Sequence, residues 1–165
     1  GAGPPVACGA MTAPADLPEG FEPDPELDPA ETHVGPFLRR EGADGLSIGL
    51  VVTERHCNEH GALHGGVQMA LADYTVGATA RHGTADSTVT VSFDAQFVDT
   101  ARAGALVIGR AEVVRRTGSL VFVQGRLRWG DRPLRGSRGF PITRRRDVRG
   151  SSRPNNSRFG AERAP

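Results

Sequence analysis

A chain of 165 residues with a net charge of +1 suits one domain with a sizeable core and tails. No apolar run approaches the roughly 20 residues needed to span a bilayer, so no membrane partner is expected. Cys8 and Cys57 are the only cysteines, and the N-terminus shows neither a basic start nor a long apolar segment; this excludes a disulfide framework and makes a cytoplasmic, reducing setting the expectation.

The near-neutral total hides an asymmetry. Residues 1–45 carry nine acids against Arg39 and Arg40, residues 126–165 carry twelve arginines against Asp131, Asp147 and Glu162, and lysine is absent. An arginine-rich end can bind nucleic acid. From Arg144 onward, however, the only aromatic is Phe159, so charge is not interleaved with stacking side chains. A solvated, disordered tail over 144–165 is the better reading, and nucleic acid is not expected as a partner.

In chain order, residues 1–35 are rich in proline and acids, which predicts an irregular arm, with Phe21 and Leu27 as candidate anchors onto the domain. The domain itself is expected over 36–143. Phe37–Arg40 and Leu46–Thr53 predict a first pair of strands joined by the turn composition Gly42-Ala43-Asp44-Gly45. A polar loop around Asn58 leads into a helix over 65–81, and His82-Gly83 ends it. Residues 88–98 alternate Val89, Val91, Phe93, Ala95 and Phe97 with Thr90, Ser92, Asp94 and Gln96, the period of a strand. Strands over 105–115 and 119–129 follow around Arg116-Thr117-Gly118, the second placing Val121, Val123, Leu127 and Trp129 on one face. A weaker strand from Leu134 to Thr143 completes the set.

A helix apolar on all sides must be buried on all sides. Two strands, one such helix and three or four further strands predict an α+β architecture, a curved antiparallel sheet wrapped around one long central helix, rather than a doubly wound α/β fold. Inside that helix stands one carboxylate, Asp73. Met69, Ala70, Val76 and Gly77 lie one turn away on either side, so no cation at helical spacing offsets the cost of burying it. A functional role explains this better than a capping one.

Asn58-x-x-Gly61-x-x-His64-Gly65-Gly66 followed by Leu71-Ala72-Asp73 resembles the signature of hotdog-fold acyl-CoA thioesterases, in the branch of the phenylacetic acid degradation thioesterases. The resemblance covers roughly residues 35–143. It implies a hotdog fold, a coenzyme A thioester as substrate, hydrolysis without a metal or other cofactor, and a homodimer that can extend to a dimer of dimers. By carry-over, Asp73 is the general base or nucleophile and the Gly65 backbone N–H polarises the thioester carbonyl. Asn58 and His64 orient the carbonyl or water, Gly66 leaves room for the substrate, and Thr90 supplies a hydroxyl that holds the attacking water.

The chemistry suits these residues. Thioester hydrolysis builds negative charge on the carbonyl oxygen, and N–H groups at a helix start are preorganised donors for it. A carboxylate can activate water or attack the carbonyl itself. Gly65 and Asp73 are eight residues apart, about 12 Å along one helix. Donor and base must approach the same carbon, so the site is expected to be shared between two subunits.

Several competing assignments are weaker. Cys57 lacks an evident activating base and is expected to be an ordinary loop residue. His56, His60 and His64 have no second ligand cluster that would suit a metal. Arg102, Arg115 and Arg116 at strand ends could meet phosphates, but a solvated turn explains them equally well. On the same fold, a dehydratase or hydratase would pair a histidine with an acid differently. A non-catalytic acyl-CoA-binding regulator would need a further domain that the first 35 residues do not resemble.

Overall fold

A computed structural model of the chain describes residues 17–85 and 87–129, and the backbone of 140–146. The elements are β1 (Glu22–Pro23), α1 (Pro29–Val34), β2 (Leu38–Gly42), β3 (Gly45–Val51), a 3-10 turn (Glu54–His56), α2 (Gly65–Arg81), β4 (Thr88–Phe93), β5 (Leu106–Arg116), β6 (Leu120–Trp129) and β7 (Phe140–Arg146). The described strands form one antiparallel sheet in the order β1-β2-β3-β5-β6-β7-β4.

Turn chemistry sets the hairpins. Gly42 pairs with Gly45, and Gly45 takes the positive φ of 89° that a side chain would resist. Between β5 and β6, the Thr117 Oγ1 accepts the Leu120 N–H at 3.0 Å and the Thr117 N–H donates to the Leu120 carbonyl at 2.8 Å. Helix α2 covers the predicted residues. The His82 N–H closes its last turn onto the Ala78 carbonyl at 2.9 Å, and Gly83 follows at φ 70°. Arg116 Nη2 donates to the Ala80 carbonyl at 2.7 Å, placing a cation at the negative end of the helix rather than in a phosphate site.

The helix lies against the inner face of the sheet. Phe37, Ile48, Leu50, Val52, Leu63, Leu71, Tyr74 and Val107 form one buried cluster, with Leu127 and Trp129 packed against it. Val76, Ala80, Val121 and Val123 form a second, covered by Phe93. The expected inward face of β6 is therefore the observed one. One stripe of α2 is less covered: Gly66 is exposed and Met69, Ala70 and Asp73 are half-buried, so this chain alone does not bury the helix on all sides.

Three expectations need correction. The described part of the N-terminal arm is not irregular. Asp28 Oδ1 accepts from the Glu31 N–H at 2.7 Å while Glu31 Oε2 accepts from the Asp28 N–H at 2.9 Å, a capping box that starts α1 at Pro29. The arm also adds β1 to the sheet, and Phe21 packs onto Gly49, where a Cβ would stand 2.9 Å from the ring.

The strand expected over 88–98 ends at Phe93, and its apolar alternation faces outward: Val89 is 59 % and Val91 51 % exposed while Thr88 is buried. A register shift between Thr90 and Ser92 returns Phe93 to the inner side. Lastly, β7 runs to Arg146, between β6 and β4, past the expected boundary at 143. The early part of that expected strand (134–139), and the rest of the expected tail from 147 onward, lie outside the described residues.

Candidate active site

The loop before α2 is built by Asn58. Its Oδ1 accepts the backbone N–H groups of His60 at 2.9 Å and Ala62 at 3.1 Å, and Gly61 turns the chain at φ 67°. The Leu63 N–H then donates to the Ala101 carbonyl at 2.9 Å and the His64 N–H to the His56 carbonyl at 2.8 Å. Gln68, buried within α2, donates from Nε2 to the Leu63 carbonyl at 3.0 Å. These bonds fix where the helix begins.

His64 is the N-cap of α2, and its Nδ1 accepts the Gly66 N–H at 3.0 Å. That places the imidazole proton on Nε2 and occupies the Gly66 donor. As the first helical residue, Gly65 has no intrahelical acceptor for its own N–H. The ring of Phe97 flanks it, 3.9 Å from where a Cβ on Gly65 would stand, in an irregular segment that leaves Phe97 55 % exposed. Phe97 falls within the strand expected over 88–98, because its alternation with polar neighbours continues past Phe93, where pairing stops.

Asp73 lies two turns further along. The Thr90 hydroxyl on β4 donates to Asp73 Oδ1 at 2.6 Å, so a hydroxyl supplies the contact that no cation at helical spacing could. Helix α1 packs on this part of α2 and brings Glu31 near. Burial, first, raises the Glu31 carboxyl above its ordinary value; the bond from Asp28 opposes this, and the Asp28 and Asp73 carboxylates add to it. The structure thus brings Asp73 together with Thr90, and Asn58 together with His64, Gly65 and Gly66. These two groups stay apart, with about 12 Å of helix between Gly65 and Asp73.

The loop histidines differ. His60 is exposed, whereas His56 is buried, its Nδ1 accepting the Thr53 N–H at 3.0 Å and its Nε2 lying 3.4 Å from the Gly35 carbonyl. Burial, reinforced by the neighbouring Arg55 charge, lowers the His56 pKa. A lowered folded-state value means that the unfolded chain binds the proton first, so His56 costs stability as the pH falls from about 6.5. The melting temperature of the wild type should therefore drop faster between pH 7 and pH 5 than that of His56→Asn, which keeps an acceptor for Thr53. Parallel curves would contradict this origin. Cys57 directs its thiol 3.6 Å from the Thr53 carbonyl, and Arg102 lies 3.4 Å from the His60 carbonyl.

The sequence over residues 60–134 matches the model of a family described as "Thioesterase superfamily". Over 128 residues the chain is 32 % identical to the Pseudomonas aeruginosa protein named "Putative esterase PA0474", covering 75 % of this chain and 95 % of that one. The chain belongs to the thioesterase superfamily. The matched stretch of this superfamily begins two residues after Asn58 and takes in His64, Gly65, Gly66, Asp73 and Thr90.

Solved structures place the superfamily member in the hotdog fold. The BH2602 protein of Bacillus halodurans, solved with CoA, superposes with a TM-score of 0.62 at 16 % identity, over 78 % of this chain and 83 % of that one. A mutant of the phenylacetic acid degradation protein PaaI from Thermus thermophilus gives a TM-score of 0.58 at 22 % identity, over 72 % and 99 %.

Proposed function

We propose that this thioesterase-superfamily chain hydrolyses acyl-CoA thioesters at a site completed by a second copy of itself. The observation that carries the reading is the Thr90–Asp73 hydrogen bond at 2.6 Å, which aims a carboxylate at the less covered stripe of a helix whose first N–H belongs to Gly65. In the proposed reaction, Asp73 takes a proton from water as the water oxygen bonds to the thioester carbon. The carbonyl oxygen gains the charge and is met by the Gly65 N–H. Collapse of the tetrahedral species breaks the carbon–sulfur bond, and the proton held by Asp73 passes to the leaving sulfur. Direct attack by Asp73, through an anhydride that water then opens, uses the same groups.

Two features favour the second copy. The 12 Å or so between Gly65 and Asp73 exceeds what one thioester carbon can bridge. Strand β4 ends the sheet order, leaving an edge flanked by the exposed Val89 and Val91, with Phe97 and Val98 exposed just beyond it. An isologous pairing across this edge covers those side chains and brings each Gly65 toward the other chain's Asp73. A dehydratase reading is less well supported, because His64 spends Nδ1 on the Gly66 N–H and is not paired with the carboxylate.

The deciding experiment is a panel of short-chain, long-chain and aromatic acyl-CoA thioesters, with matched oxygen esters, given to the full chain. Release of free thiol from at least one thioester is expected. A folded, dimeric protein that hydrolyses none of them sinks the proposal.

A further inference from the structure

The outer face of the sheet carries an arrangement that the catalytic reading does not use. Strand register places Arg40 opposite Ser47, Ser47 opposite Arg110, and Arg110 opposite Arg126, one row across β2, β3, β5 and β6. The neighbouring row runs Leu38, Gly49, Ile108, Arg128. Since Ile48 and Gly109 point toward α2, these alternate residues point away from it.

Like charges directly opposite on antiparallel strands repel, so the Arg110–Arg126 pair costs stability unless something negative lies between them. The carboxylates nearby do not fill that role. Asp44 meets Arg110 at 3.4 Å and has no ion pair with Arg126, and Arg110 Nε also donates to Ser47 Oγ at 3.0 Å. Glu112 is taken by Gln124 Nε2 at 2.5 Å. Among the described residues neither Arg126 nor Arg128 has an ion-pair partner, and the Arg128 Nε is buried without an acceptor. The three guanidiniums rim a groove of about 260 Å³ whose remaining lining is Leu106, Ile108 and Trp129.

We infer that this groove on the outer face of the sheet is a binding site for a phosphate-bearing small molecule of nucleotide size, held by Arg110, Arg126 and Arg128. Guanidinium forks match phosphate oxygens in pairs, and a bridging phosphate turns the Arg110–Arg126 repulsion into two attractions. The apolar floor of Leu106 and Ile108 suits a flat base beside the phosphates. The site is separated from Asp73 by the thickness of the sheet, and the inference stands independently of the thioesterase reading.

Calorimetric titration of the full-length chain with pyrophosphate, ADP and CoA at low salt tests it. Binding is expected for all three, tighter for ADP than for pyrophosphate. Arg126→Gln, at an exposed position, should weaken ADP binding at least tenfold, and Arg128→Gln should do so as well. Displacement of ADP by CoA would identify the phosphates of a thioester carrier as the source; ADP binding untouched by CoA would identify a free nucleotide. No heat with any of the three probes overturns the inference, as does unchanged affinity in a folded Arg126→Gln chain. Arginine-dependent self-association without phosphate binding would assign the face to a second copy instead, and also overturns it.

Discussion

Gly65→Pro is expected to lower kcat for thioester hydrolysis by roughly a hundred- to a thousandfold while leaving the fold intact, the loss typical of removing one oxyanion donor. Proline suits the site in every other respect. Position 65 is the first residue of α2, where proline fits and no intrahelical hydrogen bond is lost. His64 before it already has the extended backbone that a following proline requires, at φ −61° and ψ 136°. A Cβ at position 65 meets only the Phe97 ring, at ordinary contact distance. What disappears is one N–H. Asp73→Asn removes the proposed base and keeps an oxygen for Thr90; a loss of about a thousandfold is expected from it.

Combining the two variants tests the shared site. In a dimer of one Gly65→Pro chain and one Asp73→Asn chain, one site carries both lesions and the other carries neither. About half the wild-type rate per dimer should return, as the two-fold symmetry dictates. Purified mixed dimers that remain as inactive as either parent would mean that each site is built within one chain. A Gly65→Pro chain that is folded and fully active would remove the backbone donor from the mechanism.

The sequence conveyed the central helix and its flanking hairpins because their determinants are local. The apolar run from Val67 to Ala80 and the breaks at His64 and His82-Gly83 lie within a few residues of what they decide. Thr90 is singled out only through resemblance, as a hydroxyl for the attacking water; its bond to Asp73 depends on how β4 passes the helix 17 residues later and has no signal in the sequence. The outward facing of Val89 and Val91 is not legible in their alternation, for a physical reason. Alternation shows that a strand has two faces, not which one meets the core, and the irregularity between Thr90 and Ser92 exchanges them.

In the N-terminal arm the density of prolines argues for an irregular chain. Yet Pro29 sits where a helix accepts proline, and Asp28 with Glu31 is a capping pair three residues apart. That signal is local and lies in the sequence itself. The arginine row could not be found in this way. Arg40, Ser47, Arg110 and Arg126 become neighbours only once three strand pairings fix their registers together.

The close approach of Thr75 on α2 to Gly109 on β5 shows how tightly the fold ties these parts to each other. Gly109→Ala is expected to cost about 3 kcal/mol, at the upper end of the usual overpacking range. A Cβ at 109 would stand 2.2 Å from Thr75 Oγ1, 3.0 Å from its Cγ2 and 3.1 Å from Leu127 Cδ2. Thr75 cannot readily yield: it is β-branched, buried, and its hydroxyl donates to the Leu71 carbonyl at 2.7 Å. The helix must therefore lift from β5, and Asp73, two residues before Thr75, moves with it away from Thr90. Urea denaturation should show the lost stability, and thioester assays a lower kcat in the molecules that remain folded. Thr75→Ala in the same chain removes the clashing atoms and should recover most of both. If the double variant is no better than Gly109→Ala alone, the contact between Thr75 and the sheet is not what sets the height of the helix.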